Sequence, residues 1–163
     1  MIEPFVISQI PGEKIFKEFT RNWIDHFLKI YFNQKNIKNK PLKSCKEISV
    51  VFVSTATSKK LNYSYRGINK PTDVLSFDGD GVVSLGELVL CKEVIRKKST
   101  TSALGVKLYI QLLVSHGLLH LLGYTHENSK KDEKEMLTLQ NKLVRKVAAK
   151  LAPNHKNDFY IEV

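Results

Sequence analysis

Residues 116 to 126 read HGLLHLLGYTH, which sets His116, His120 and His126 at relative positions one, five and eleven, with Gly123 at position eight. The spacing is that of the zinc-binding helix H-E-x-x-H-x-x-G-x-x-H, except that Gly117 stands where that pattern has its Glu. Two histidines four apart on a helix project from one face about one turn apart, so both imidazoles can reach a single cation. A glycine that ends the helix in a left-handed conformation swings the chain round, which allows His126 to return as a third ligand. Three neutral imidazoles suit one Zn²⁺ ion and leave a fourth position open, the arrangement of a catalytic site rather than a structural one. Imidazole also suits Ni²⁺, Cu²⁺ and Fe²⁺, so zinc is the first choice among several. With 5 His in 163 residues, two more at these offsets from a given one arise by chance on the order of one time in a thousand.

Keeping the ligands while discarding the Glu narrows the chemistry. Zinc lowers the pKa of a bound water to about 7, so a nucleophile forms near neutral pH without a carboxylate to create it. Peptide hydrolysis still needs a proton carried to a poor amine leaving group, whereas a phosphodiester mainly needs its negative charge neutralised and its nucleophile aligned. The chain carries 26 Lys and Arg against 16 Asp and Glu, a net charge of +10. A field of that sign attracts polyanions such as RNA, DNA or anionic lipid. Charge and site chemistry together favour a phosphodiester substrate.

Around this segment, 163 residues with 42% hydrophobic and 9% aromatic content are enough for one domain, residues 1–163, with a core that needs no disulfide. Cys45 and Cys91 are too few and too far apart for a disulfide framework or a thiolate metal site, which implies a reducing compartment. The N-terminus has acidic Glu3, an early Pro4 and no basic stretch ahead of an apolar run, unlike a secretion signal. The longest apolar region, Leu108 to Leu122, is broken by Gln111, His116 and His120 and is short for a bilayer span. A cytoplasmic, soluble protein with no membrane partner is expected.

Pro4 to Ile10 predicts a first strand, stopped by Pro11 and Gly12. From Glu13 to Phe32, Phe16, Phe19, Trp23, Phe27, Ile30 and Tyr31 recur at helical steps; His26 beside them is given no role. The lysine-rich stretch from Lys35 to Lys46 reads as a solvated loop. Glu47 to Ser54 is a buried strand by its β-branched content, and the helix after it is expected to be capped by Thr55 or Thr57. Thr72 to Phe77 and Gly86 to Cys91 flank a glycine-containing loop, as in a hairpin. A helix from about Ser102 to Leu122, apolar on nearly every side, should lie at the centre of the fold. A last amphipathic helix, Ser129 to Leu151, lays Met136, Leu139, Leu143, Val144 and Val147 on one face, followed by a loosely held tail. The expected fold is α+β, a small mixed β-sheet covered by helices, the central one carrying the H-x-x-x-H-x-x-x-x-x-H site.

Three segments in order, LNYSYRGINKPTDVLSF (Leu61 to Phe77), LGELVLC (Leu85 to Cys91) and HGLLHLLGYTH, resemble the YbeY family of bacterial endoribonucleases, with similarity from about residue 45 to 145. The resemblance implies a single-strand-specific, metal-dependent endoribonuclease acting in small-subunit ribosomal RNA 3′-end maturation and ribosome quality control. Single-stranded RNA, ribosomal RNA and the small ribosomal subunit are the implied partners. Metal binding then falls on His116, His120 and His126, and the family's functional arginine on Arg66, whose guanidinium can grip a phosphate in two places. Thr72 and Asp73 are read as structural, Val74, Leu75 and Phe77 as core, and Tyr63 and Tyr65 as packing residues that are less often base-stacking ones. Thr125 and Gln140 stand where the family usually has acids, and Glu87 where it has Asp; none of the three is expected to touch a metal ligand. Two rival functions remain at this point: a non-catalytic ribosome assembly factor with a structural zinc, and a peptidase, which Gly117 and the positive charge disfavour.

Overall fold

The structure, a computed structural model, describes residues 2–9, 14–35, 37–38, 42, 44–102, 105–126 and 129–151. The anticipated turn at Pro11 and Gly12, two of the loop lysines, Lys40 and Lys43, and the tail after Leu151 lie outside these residues. Among the described residues the order is β1 (Glu3–Ser8), α1 (Lys14–Phe32), β2 (Glu47–Val53), α2 (Thr55–Arg66), β3 (Val74–Asp78), β4 (Ser84–Cys91), α3 (Lys92–Thr101), α4 (Val106–Leu121) and α5 (Lys130–Leu151). No single described helix is long and apolar enough to cross a membrane.

The strands form one mixed sheet in the order β1-β2-β4-β3. β1 and β4 run parallel to β2, and β3 closes an antiparallel hairpin on β4 with Leu75 opposite Val89 and Phe77 opposite Glu87. Alternation along each strand sends its residues to two different cores. Ile48, Val50, Phe52, Leu88 and Leu90 face the main core with α1, α4 and α5, while Val51, Val53, Leu75 and Val89 face a smaller cluster that takes in Leu61 of α2. The α+β class and the helix-covered mixed sheet are as the sequence implies.

α4 is the central helix. It buries Ile110, Val114, Leu118, Leu119 and Leu121, and Trp23 of α1 donates its indole N–H to the wholly buried Ser115 hydroxyl at 3.0 Å. That bond registers α1 against α4 one residue before the first histidine. α5 covers the same core with Met136, Leu143, Val144 and Val147, and its first turn is capped by Ser129, whose Oγ accepts from the Asp132 N–H at 3.1 Å.

Three expectations change. The cap of α2 is Ser54, whose side chain accepts from the Thr57 N–H at 3.2 Å, rather than Thr55 or Thr57; the residue before the first helical one is the one with the extended backbone a cap requires. The central helix starts at Val106, with Gly105 as its N-cap, not near Ser102. The residues ahead of it form a separate helix, α3, which the sequence pattern does not announce. Its buried residues are Ile95 and Ser99 alone, too narrow an apolar stripe to register as amphipathic.

α3 is tied to the hairpin through Asp73. The Asp73 carboxylate, nearly buried, accepts from the Lys98 ammonium at 2.9 Å and from the Tyr109 hydroxyl at 2.8 Å, joining β3, α3 and α4. Thr72 is held by Ser58, which donates to its carbonyl and accepts from its N–H, so both residues are structural, as anticipated. Burial alone would raise the Asp73 pKa, but the hydrogen bonds from Lys98 and Tyr109 and the Lys98 charge outweigh it and hold the carboxyl below the usual carboxylate range. A carboxyl depressed in the folded state contributes stability fully above its unfolded value, about 3.9, and loses it as pH falls through the lower folded value. Asp73→Asn is therefore expected to cost about 1–3 kcal/mol near neutral pH and to flatten the acid limb of the stability curve, read by urea unfolding at a series of pH values.

Candidate metal centre

α4 brings His116 and His120 into contact near its C-terminal end, with their Nε2 atoms 3.1 Å apart. Gly123 follows in the left-handed region at φ 83°. The Tyr124 N–H returns to the Leu119 carbonyl at 2.9 Å and the Gly123 N–H to the His120 carbonyl at 2.8 Å. This pair of bonds is the Schellman arrangement, which satisfies the last carbonyls and reverses the chain. His126 is thereby brought to ring-centroid distances of 5.2 Å from His116 and 5.1 Å from His120. One nitrogen from each of the three rings falls within 4.8 Å of the others. The three sequence-selected histidines converge as their spacing implies.

The outer nitrogens decide the electrostatics. His116 Nδ1 lies 3.0 Å from the Gln140 side-chain oxygen, and His120 Nδ1 lies 3.1 Å from the Tyr124 carbonyl. Both partners are acceptors, so each ring places its proton on Nδ1 and leaves Nε2 as a lone pair. Burial pushes the His116 pKa down, an effect that the Gln140 hydrogen bond opposes and the neighbouring His120 and His126 reinforce, so the ring is held neutral. With both protons on Nδ1, the two Nε2 lone pairs converge at 3.1 Å, a disposition that suits a cation shared between them. The donor set fits a divalent ion, and the described Nδ1 contacts are the outer-shell bonds that orient histidine ligands.

Gly117 answers the question its position poses. A Cβ placed there would lie 2.7 Å from a Leu88 methyl and 3.1 Å from the Ser76 hydroxyl. The contacts are the side chains of Leu88 on β4 and Ser76 on β3, so any side chain at position 117 requires these two to shift. Packing at this point disfavours the Glu of the peptidase pattern.

The histidines open into a cavity of about 510 Å³ that runs along β3, the edge strand, and is lined by Tyr65, Arg66, the five β3 residues, the three histidines, Gly123, Tyr124 and Thr125. Arg66, the last residue of α2, reaches this space from the helix on the other sheet face. Its guanidinium is exposed, and among the described residues nothing pairs with it. Val74 and Leu75 pack as expected, while Phe77 is only partly buried and belongs to the cavity wall.

Two readings of the sequence are corrected. Gln140 does touch the histidine cluster, since it is the hydrogen-bond partner of His116; the available signal is a polar residue on the buried stripe of α5, between Met136 and Val144, which requires a partner inside. Tyr63 and Tyr65 are 61% and 68% exposed, so neither is a core residue, although Tyr65 packs one edge contact against Phe77. Thr125 lines the cavity, and Glu87 lies outside it on β4.

Residues 8–148 match the family model described as endoribonuclease YbeY. The chain belongs to the YbeY family. Endoribonuclease YbeY of Bdellovibrio bacteriovorus is 36% identical over 138 residues, covering 82% of this chain and 91% of that protein. Its counterpart from Buchnera aphidicola subsp. Schizaphis graminum is 35% identical over 142 residues, covering 84% and 80%. The solution structure of TM1509 from Thermotoga maritima shares the fold, with a TM-score of 0.60 at 25% identity over 98% of this chain and 99% of that one. The YbeY match spans every strand after β1 and all the residues that line the cavity.

Packing at Gly117 is directly testable. Gly117→Ala is expected to cost about 1–3 kcal/mol through overpacking against Leu88, and Gly117→Glu considerably more because it also buries a charge. Urea melts of the two variants check both the size and the order of the losses.

Proposed function

We propose that this protein is a zinc-dependent endoribonuclease specific for single-stranded RNA, acting in maturation of the 3′ end of small-subunit ribosomal RNA and in ribosome quality control. The observation that carries the reading is the facing pair of imidazole lone pairs, with His126 beside them, in a cavity that also receives an unpaired arginine. Membership of a family whose curated relatives are named endoribonucleases supports the substrate class. The +10 net charge suits an RNA partner. A peptidase is opposed by Gly117 itself, which offers no general base and is crowded by the Leu88 and Ser76 side chains.

His116, His120 and His126 would hold one Zn²⁺ ion, which, when bound, supplies Lewis-acid charge for a phosphodiester and eases deprotonation of the attacking oxygen. Gln140 and the Tyr124 carbonyl fix the tautomers of His116 and His120, so that both rings present their Nε2 lone pairs inward. Arg66 is the catalytic residue of the opposite wall: its fork of N–H groups grips the phosphate and stabilises charge as it grows in the transition state. Ser115 and Trp23 hold α4 in register, and Gly117 lets it sit close enough to β3 for the cavity to form.

His116→Ala and His120→Ala should each abolish cleavage of a single-stranded RNA while leaving the thermal transition in place, and chelation of the wild-type protein should do the same reversibly. Arg66→Ala should lower kcat about 10²–10³-fold. Should metal-free, folded protein still cleave at the full rate, or should the histidine variants do so, the nuclease assignment of this cavity fails. Gln140→Leu should weaken zinc binding by about 10–100-fold, measured by competition with a chromophoric chelator, and Gln140→Glu should restore or tighten it.

A further inference from the structure

Tyr65 is anomalous for an aromatic residue: it is 68% exposed, yet it stands at the lip of the cavity beside Arg66. Its ring meets Phe77 at a centroid distance of 4.8 Å and an interplanar angle of 67°, an edge contact that leaves ring surface open to solvent. Tyr63, two residues earlier and comparably exposed, is not part of the cavity wall. Adjacent helix residues do not face one another, so the Tyr65 ring and the Arg66 guanidinium, which both line the cavity, can make two separate contacts with one strand.

The end of α2 that carries them is tied down by backbone and side-chain hydrogen bonds. The Gly67 N–H bonds to the Tyr63 carbonyl at 3.0 Å and the Ile68 N–H to the Asn62 carbonyl at 3.3 Å. The Asn62 side-chain amide donates to the Lys70 carbonyl at 2.7 Å, and Ser58 bonds the Thr72 backbone twice, at 2.8 and 3.0 Å. This explains why the buried residues of α2 are the polar Ser58 and Asn62. The exposed ring is thus mounted on a stiff support, the condition under which stacking adds affinity rather than merely ordering a loop.

We infer that Tyr65 is a base-stacking platform for a nucleotide next to the phosphodiester gripped by Arg66, and that it is a specificity-determining residue for single strands. The inference rests on the endoribonuclease reading above. A base inside a duplex keeps both faces stacked on its neighbours, whereas one in a single strand can be laid on an aromatic face, so a ring in this position discriminates by strandedness with little regard to base identity.

Binding of a labelled single-stranded RNA oligonucleotide, measured by anisotropy in EDTA so that the strand stays intact, tests it on Tyr65→Ala, Tyr65→Leu and Tyr65→Phe, with a second oligonucleotide carrying abasic nucleotides around its cleavage position. Wild type should bind the abasic strand about five- to hundredfold more weakly than the intact one. Tyr65→Ala and Tyr65→Leu should lose the same factor on the intact strand and nothing further on the abasic strand, while Tyr65→Phe behaves as wild type. Leu keeps apolar contact with Phe77 but has no ring, which separates stacking from packing. Wild-type affinity in the Ala and Leu variants, or an undiminished response to the abasic change in them, overturns the inference. Cleavage of the intact oligonucleotide by zinc-loaded wild type, scored in parallel, reports on the endoribonuclease reading independently.

Discussion

The site is organised by the convergence of two imidazoles one helical turn apart. Their outer nitrogens are committed as donors to Gln140 and to the Tyr124 carbonyl, which turns both Nε2 atoms inward to a separation of 3.1 Å. Burial pushes the His116 pKa down and so favours its neutral form. Convergent neutral nitrogens are the donors that a small divalent ion prefers.

Much of the fold can be understood as the support for those two rings and the third that joins them. The Schellman end at Gly123 brings His126 round, the Trp23–Ser115 bond locks the rotation of α4, and close approach at Gly117 seats the helix on the sheet. Because β3 is the sheet edge, α4 on one face and the end of α2 on the other both open onto the same space. Residues far apart in sequence, Arg66 and the histidines, therefore share one cavity. The Asp73 cluster with Lys98 and Tyr109 pins β3 to α3 and α4 at the far end of the strand from Asp78.

The histidine cluster is legible in the sequence because its geometry is local: two residues on one helix, one glycine and one residue after a turn follow from helical pitch and left-handed backbone preference. The strands and α1, α4 and α5 were legible from apolar periodicity for similar reasons. What escaped depends on tertiary contact. α3 buries too little to show a stripe. The bond from Gln140 to His116 spans 24 residues, and no local pattern reveals which polar group on α5 turns inward. The exposure of Tyr65 is set by where α2 ends relative to β3, a matter of sheet order rather than of sequence period. Arg66 is singled out only by family resemblance, since an arginine at a helix end has no signature of its own.

The central claim is that the three imidazoles share one ion and leave part of its coordination to solvent or substrate. X-ray absorption spectroscopy of the zinc-loaded protein tests this most directly. The account predicts three histidine scatterers at about 2.0–2.1 Å, one or two light oxygen scatterers and no sulfur. A spectrum with fewer than three imidazoles, with thiolate from Cys45 or Cys91, or with four protein ligands would contradict it.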